Sequence, residues 1–252
     1  MIITGIKIIL VEPAGPLNVG SIARVMKNFG FTQLVLVNPQ CDYLGAEAKL
    51  MAVRASDILE SAMVVDSLPE ALVGCKRSIA TTGVEHDWNP PLETPRTCLP
   101  WLLEQTAQPS ALIFGREDRG LSKEELNYAQ RFVRIPSGEE YSSLNLAMAV
   151  GICCYELAQQ ADVSLPSTDV TKNIKTANQL APVELVESYY QQLELLLLRI
   201  GYLFPHTASS RMEKFRQLYN RTQLQNRELA MLRGILHQVE WALDRKIKPD
   251  DL

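Results

Sequence analysis

Three stretches of this 252-residue chain concentrate residue types able to do chemistry. The first is Asn18-x-Gly20-x-x-x-Arg24. Gly20 permits close backbone approach, and Arg24, one helical turn on, can face the same cleft with a planar fork suited to phosphate; the competing reading is a surface arginine. The second is Gly115-Arg116-Glu117-Asp118-Arg119-Gly120-Leu121-Ser122, four charges between two glycines. A charged loop of this kind, placed by a rigid sheet, often carries function. The third runs from Ile135 to Gly151. Pro136 and Gly138 make its first half irregular, Ser142 or Ser143 offers a helix cap, and Leu144, Leu146, Met148 and Val150 continue as an apolar helix. The helix start presents N–H groups suited to a polar or anionic ligand, and Ala147, Ala149 and Gly151 let another backbone come near. The competing reading is a well-capped core helix.

Several chemistries are disfavoured. No Lys-Ser/Thr pair follows Gly120, so the loop is no triphosphate cradle, and it lacks the G-x-G-x-x-G of a dinucleotide site. Cys41, Cys75, Cys98, Cys153 and Cys154 are odd in number and contain no C-x-x-C, which argues against zinc or a disulfide framework and for a reducing, cytoplasmic setting. His86, His206 and His237 form no metal motif, so no metal is expected. With a net charge of −4, nucleic acid can be attracted only by a local basic patch.

The elements that must position these stretches read as an α/β domain. Buried strands are expected at Ile6–Val11, Leu34–Val37, Met63–Val65, Ser78–Thr81, Ala111–Phe114 and Phe132–Ile135. Helices are expected at Asn18–Phe29, Glu47–Glu60, Leu68–Val73, around Cys98–Gln105, and at Ser122–Gln130 with a Ser122/Glu125 capping box. Asn89–Pro95 reads as a Pro-rich connection. Alternation of about six strands with helices implies a mostly parallel sheet covered on both faces, with ligands beyond its carboxyl edge. The segments there are Glu12–Asn18, Thr81-Thr82-Gly83, Gly115–Gly120 and Ile135–Ser143. Residues 1–160 form this domain, 161–181 a polar linker, and 182–252 a helical extension with helices at Pro182–Ile200, Ser209–Tyr219 and Asn226–Ala242. Between Arg211 and Arg233 six Arg or Lys face two Glu, a basic excess able to meet a phosphate backbone unless it is simply a solvated face.

Taken together, the Asn-x-Gly…Arg, Gly-Arg-Glu…Gly-Leu and Ile-Pro…Tyr-Ser-Ser-Leu-Asn-Leu-Ala stretches, in this order, resemble the SPOUT superfamily of RNA methyltransferases over about the first 160 residues. The tail Arg221…Glu228-Leu229…Leu232-Arg233-Gly234-Ile235-Leu236 resembles the extension of its TrmJ branch, tRNA 2′-O-ribose methyltransferases acting on cytidine or uridine at position 32. The resemblance implies a trefoil knot at the domain's C-terminal end, bound S-adenosylmethionine, and a homodimer packed through the knot. It implies cofactor contacts at Thr81, Thr82, Gly83, Gly115, Ile135, Ser142, Ser143 and Leu144. Arg24 takes the catalytic position, supported by Asn18, Glu117 and Asn145. Because arginine stays protonated, Arg24 is favoured as an orienter and charge clamp over a base. RNA is expected to touch Arg116 and Arg119, and Arg221 and Arg233 in the tail. One departure bears on substrate choice: related tRNA enzymes carry arginine after the Thr82-Gly83 turn, where this chain has Val84-Glu85-His86. The alternatives are a 2′-O-methyltransferase for ribosomal RNA or another tRNA position, and a non-catalytic RNA-binding module on the same fold.

Overall fold

The computed structural model describes residues 2–83, 91–104, 108–138, 143–163 and 180–246. The chain divides into two compact units, residues 1–170 and 171–252.

The first unit is built on strand β1 (Ile3–Val11), whose β-branched run Ile6–Val11 is buried apart from Lys7. Lys7 extends its amine to the carbonyls of Ala71 and Val73 at 2.9 Å, which satisfies a cation that would otherwise be costly in such a strand. Around it stand β2 (Phe31–Val37), β3 (Met63–Val65), β4 (Arg77–Thr81), β5 (Leu92–Glu93), β6 (Ser110–Phe114) and β7 (Arg131–Val133). They form a seven-stranded sheet in the order β3-β2-β1-β6-β4-β7-β5, with each ladder parallel. The expected six strands are present. The seventh, β5, lies inside the supposed connection; two residues are too few for a periodic signal, and pairing with β7 makes them a strand.

Helices follow the strands: α1 (Pro16–Asn28), α2 (Ala46–Ala52), α3 (Ser56–Glu60), α4 (Leu68–Ala71), α5 (Pro95–Cys98) with a 3₁₀ turn at Leu99–Leu102, α6 (Lys123–Leu126) and α7 (Leu146–Val163). Three boundaries differ from expectation for local reasons. Pro16 opens α1 with Gly15 as cap, which leaves the Asn18 side chain free for other bonds. The single helix expected over 47–60 is two, broken at Val53 with φ +56°, a region a β-branched residue rarely enters. At α6 the Ser122/Glu125 capping box is present as expected, but the helix ends at Leu126. The helix α7 runs through Val163, past the boundary expected at residue 160.

This strand order has one consequence for function. Because β1, β6, β4 and β7 are neighbours, the segments that follow them come out side by side along one edge of the sheet.

The second unit is three helices, α8 (Val183–Arg199), α9 (Ala208–Asn220) and α10 (Asn226–Lys246). Its own core joins Tyr189, Tyr190, Leu193 and Leu196 of α8 to Met212 of α9 and to Leu229 and Leu236 of α10. Among the described residues no helix is long and apolar enough to cross a membrane.

Candidate active site

Beyond the carboxyl ends of β4, β6 and β7 lies a cavity of ≈ 250 Å³. Thr81, Thr82 and Gly83 form one wall, Gly115 to Leu121 a second, and Ile135, Ser143 and Leu144 a third. Seven of the eight expected cofactor residues are thereby brought together; Ser142 falls outside the described residues, as do Val84, Glu85 and His86. Behind the loops stand Phe114, Val133, Leu146 and Ala149. Apolar walls with a rim of loop backbone offer a flat slot and N–H and C=O groups, a donor set that fits an adenosyl group. The loop after β6 doubles back, with the Gly120 N–H bonded to the Arg116 carbonyl at 2.9 Å. A Cβ on Gly115 would sit 2.2 Å from the Gly120 carbonyl carbon, so only glycine lets the loop close.

Glu117 ties this loop to the start of α1. Its carboxylate accepts from the N–H groups of Ala14 (2.9 Å) and Gly15 (3.0 Å) and from the Asn18 side-chain amide (3.0 Å). Burial pushes its carboxyl up, but the bonds from Ala14, Asn18 and Gly15 outweigh it and hold the group below the ordinary glutamate value. The N–H groups just ahead of α1, that of its cap Gly15 among them, thus receive an acceptor from a residue about a hundred positions away, with a charge sign that suits the helix dipole.

The chain of bonds continues. Asn145 donates its amide to the Asn18 Oδ1 at 2.9 Å, while its own Oδ1 accepts from the Ala147 and Met148 N–H groups at 2.9 and 3.3 Å. The cap of α7 is therefore Asn145, and not Ser142 or Ser143. The serines are good capping residues too, but the helix begins one residue after Asn145. Glu117, Asn18 and Asn145 form one continuous relay that locks three loops together.

The expected RNA contacts fare unequally. Arg119 bonds Glu12 at 2.9 Å and both oxygens of Glu125 at 3.0 Å, and these bonds hold its guanidinium above its ordinary value. Glu125 is lowered, because the bonds from Arg119 and the Ser122 N–H overcome the opposing effect of burial. Arg119 is thus engaged inside the chain. Glu12 and Glu125 are the residues missed by sequence reasoning. The capping box marked Glu125, but nothing in the spacing ties either acid to Arg119. Arg116 lines the cavity, with its Nε 3.0 Å from Asp118 but poorly aligned for a hydrogen bond. In the second unit Arg233 donates to Ser188 at 2.9 Å, whereas Arg221 is exposed at the end of α9.

Arg24 is not placed as expected. Gly20 is buried against α2, where a Cβ would meet the Ala48 carbonyl oxygen at 2.1 Å, so its small size serves helix packing and not ligand approach. Arg24 is exposed, is absent from the cavity lining, and makes no ion pair among the described residues. It shares a stripe of α1 with exposed Leu17, and neighbouring α7 exposes Met148 and Tyr155.

Residues 5–155 match the SpoU rRNA Methylase family, and residues 184–251 match the C-terminal domain of the tRNA methyltransferase TrmJ. The chain belongs to the TrmJ branch of the SpoU methylase family. It is 39% identical over 243 residues to the tRNA (cytidine/uridine/adenosine-2′-O-)-methyltransferase TrmJ of Pseudomonas aeruginosa, with 93% of each chain covered. It is 37% identical over 248 residues to the tRNA (cytidine/uridine-2′-O-)-methyltransferase TrmJ of Cronobacter sakazakii, covering 96% of this chain and 98% of that one. The crystal structure of TrmJ from Z. mobilis superposes with a TM-score of 0.80 at 30% identity, covering 93% of this chain and 98% of the other. The chain is a family methyltransferase in sequence and in fold, and its extension is the family's own.

Proposed function

We propose that this chain is an S-adenosylmethionine-dependent tRNA 2′-O-ribose methyltransferase acting on cytidine or uridine at position 32 of the anticodon loop. The observation that carries this reading is the cavity walled by the segments after β4, β6 and β7, the last two of which the relay of Glu117, Asn18 and Asn145 ties to the start of α1. When bound, S-adenosylmethionine supplies a methyl group on a sulfonium. The backbone of the loops at Thr81–Gly83, Gly115–Leu121 and Ile135–Leu144 holds the donor, and Ser142 joins this set by its place in the motif. Glu117, Asn18 and Asn145 keep the loop after β6 and the start of α7 in register with the start of α1.

Arg24 orients the RNA phosphate and the attacking ribose hydroxyl. Its exposure, on the stripe of α1 that holds exposed Leu17 and with Met148 and Tyr155 exposed on neighbouring α7, supports a homodimer in which these uncovered residues are buried by a second copy and Arg24 of one protomer faces RNA held over the partner's cavity. The knot expected of the family lies at the C-terminal end of the domain, residues 1–160, with 161–181 as linker and 182–252 as RNA-contacting extension. The enzyme works in the cytoplasm and uses no metal. A wider base choice is a second reading, favoured by the adenosine named for the Pseudomonas relative.

The test is mass spectrometry of nucleosides from unmodified tRNA incubated with the chain and methyl-labelled cofactor. Label in 2′-O-methylcytidine or 2′-O-methyluridine is expected, mapped to position 32. Label found in ribosomal RNA alone, or in neither RNA, would overturn the reading.

A further inference from the structure

The second unit carries a surface that neither the cavity nor the relay uses. After α8 the chain turns at Gly201 (φ +76°), and the N–H groups of Tyr202 and Leu203 both bond the Leu197 carbonyl, at 2.9 and 3.0 Å. Leu203 is buried in the unit's core, so the turn is pinned from below. Above it, Tyr202 and Phe204 are 51% and 53% exposed. Phe204 stacks on exposed His206, with centroids 6.0 Å apart and planes at 25°. The Arg211 guanidinium lies 5.7 Å from the Tyr202 ring centre.

The cations continue from there. At about 100° per residue, Arg211, Lys214, Leu218 and Arg221 fall within an arc of about 80° on α9, and Glu213 lies outside it. All four are exposed, and neither Lys214 nor Arg221 makes an ion pair among the described residues. Three other arginines of this unit are engaged, Arg199 with Asp244, Arg216 with Glu187 and Arg233 with Ser188, whereas Arg227 at the start of α10 is exposed. An acid-free row of cations leading from half-exposed aromatic rings, on a chain of net charge −4, has the chemistry of a single-stranded nucleic acid site. Phosphates follow the cations while unstacked bases lie on the rings. A duplex would need the cations but would leave the rings unused, and an apolar protein partner would need the rings but not the unpaired cations.

We propose that Tyr202, Phe204 and His206, with Arg211, Lys214 and Arg221, form a stacking platform for unpaired nucleotides of the RNA substrate. The proposal rests on the RNA reading above and adds to it a preference for single-stranded over paired segments. The rings are held by a pinned turn before RNA arrives, so binding does not have to order them.

The test uses the full chain and two fluorescent RNAs, a hairpin with an unpaired loop carrying 2-aminopurine and a blunt duplex of the same stem. The double variant Tyr202→Ala/Phe204→Ala is expected to bind the hairpin on the order of tenfold more weakly for each base that no longer stacks, with duplex binding unchanged. Tyr202→Phe should retain hairpin affinity and the quenching of 2-aminopurine. Lys214→Ala/Arg221→Ala should lower the slope of log affinity against log salt by about 1.4, roughly 0.7 for each phosphate left without its cation. Hairpin affinity unchanged in the aromatic variant overturns the platform, as does equal weakening for both RNAs. Loss of self-association with RNA binding intact assigns the patch to a protein interface and overturns it too. A wild-type chain that binds neither RNA overturns the RNA reading itself, a result distinct from failure of the platform alone.

Discussion

Arg119 and Arg24 stand in two motifs of one domain, and the structure treats them in opposite ways. Arg119 is committed to Glu12 and Glu125, and by those bonds it joins the end of β1, the loop after β6 and the cap of α6. Arg24 has no ionic partner among the described residues and stands on an uncovered stripe of α1. The same division runs through the second unit, where Arg216 and Arg233 are tied into helix packing while Lys214 and Arg221 face solvent. Charges that shape the site are neutralised within the chain. In the proposed reading, the charges that meet a substrate arriving from outside are the ones left open. A cation's place in a motif does not say to which class it belongs; its neighbours do.

Substitutions can break this division, beginning with the largest expected effect. Gly115→Ala forces a methyl to 2.2 Å from the Gly120 carbonyl carbon, so the loop must open. Calorimetry should then find cofactor binding weakened on the order of a hundredfold or more, and retention of wild-type affinity would show that loop closure is not needed. Glu117→Ala leaves the N–H groups of Ala14 and Gly15 and the Asn18 amide without their acceptor. A loss of about 2 kcal/mol is expected in urea unfolding at neutral pH, within the range for hydrogen bonds to a charged group. The sign with pH follows from the lowered carboxyl: its stabilisation is present above the ordinary glutamate value and is lost as pH falls through the depressed folded value. The gap between wild type and Glu117→Ala should therefore narrow in acid, and a gap that widens would contradict the assignment.

Arg119→Ala sharpens the comparison directly. Cofactor affinity should fall several-fold while the salt dependence of tRNA binding stays as in wild type; a lowered salt slope would return Arg119 to the RNA-contacting class. The smallest effect is expected for Asn145→Ala, about 1 kcal/mol in thermal or urea unfolding, the usual cost of a lost helix cap.

Much of this was legible in the residues. The alternation of apolar runs with capped helices marked the parallel sheet, and Gly, Pro and charge clustering marked the loops at its carboxyl edge. Sequence order hid the order of strands in space, so the adjacency of β1, β6, β4 and β7 became visible only with the ladders. Long-range bonds were hidden for the same reason: Glu12 and Arg119 are 107 positions apart, and Asn18 and Asn145 are 127. Ser142 and Ser143 are as good capping residues as Asn145, so residue type alone pointed to the serines and not to the residue that caps α7. The face occupied by Gly20 was misread because a glycine suits a ligand and a packed helix equally well. The open aromatic turn at Tyr202–His206 has no motif, and a run of aromatics after a helix reads as core until exposure is known.

The most direct measurement pairs two readings on Arg24→Ala: the affinity for S-adenosylmethionine and the single-turnover rate of methyl transfer to tRNA at saturating cofactor. The expected result is wild-type cofactor affinity with transfer slowed on the order of a hundredfold or more, as for the loss of a group that orients reactants. Transfer at the wild-type rate would contradict the division between cavity and open arginine on which the proposed mechanism stands.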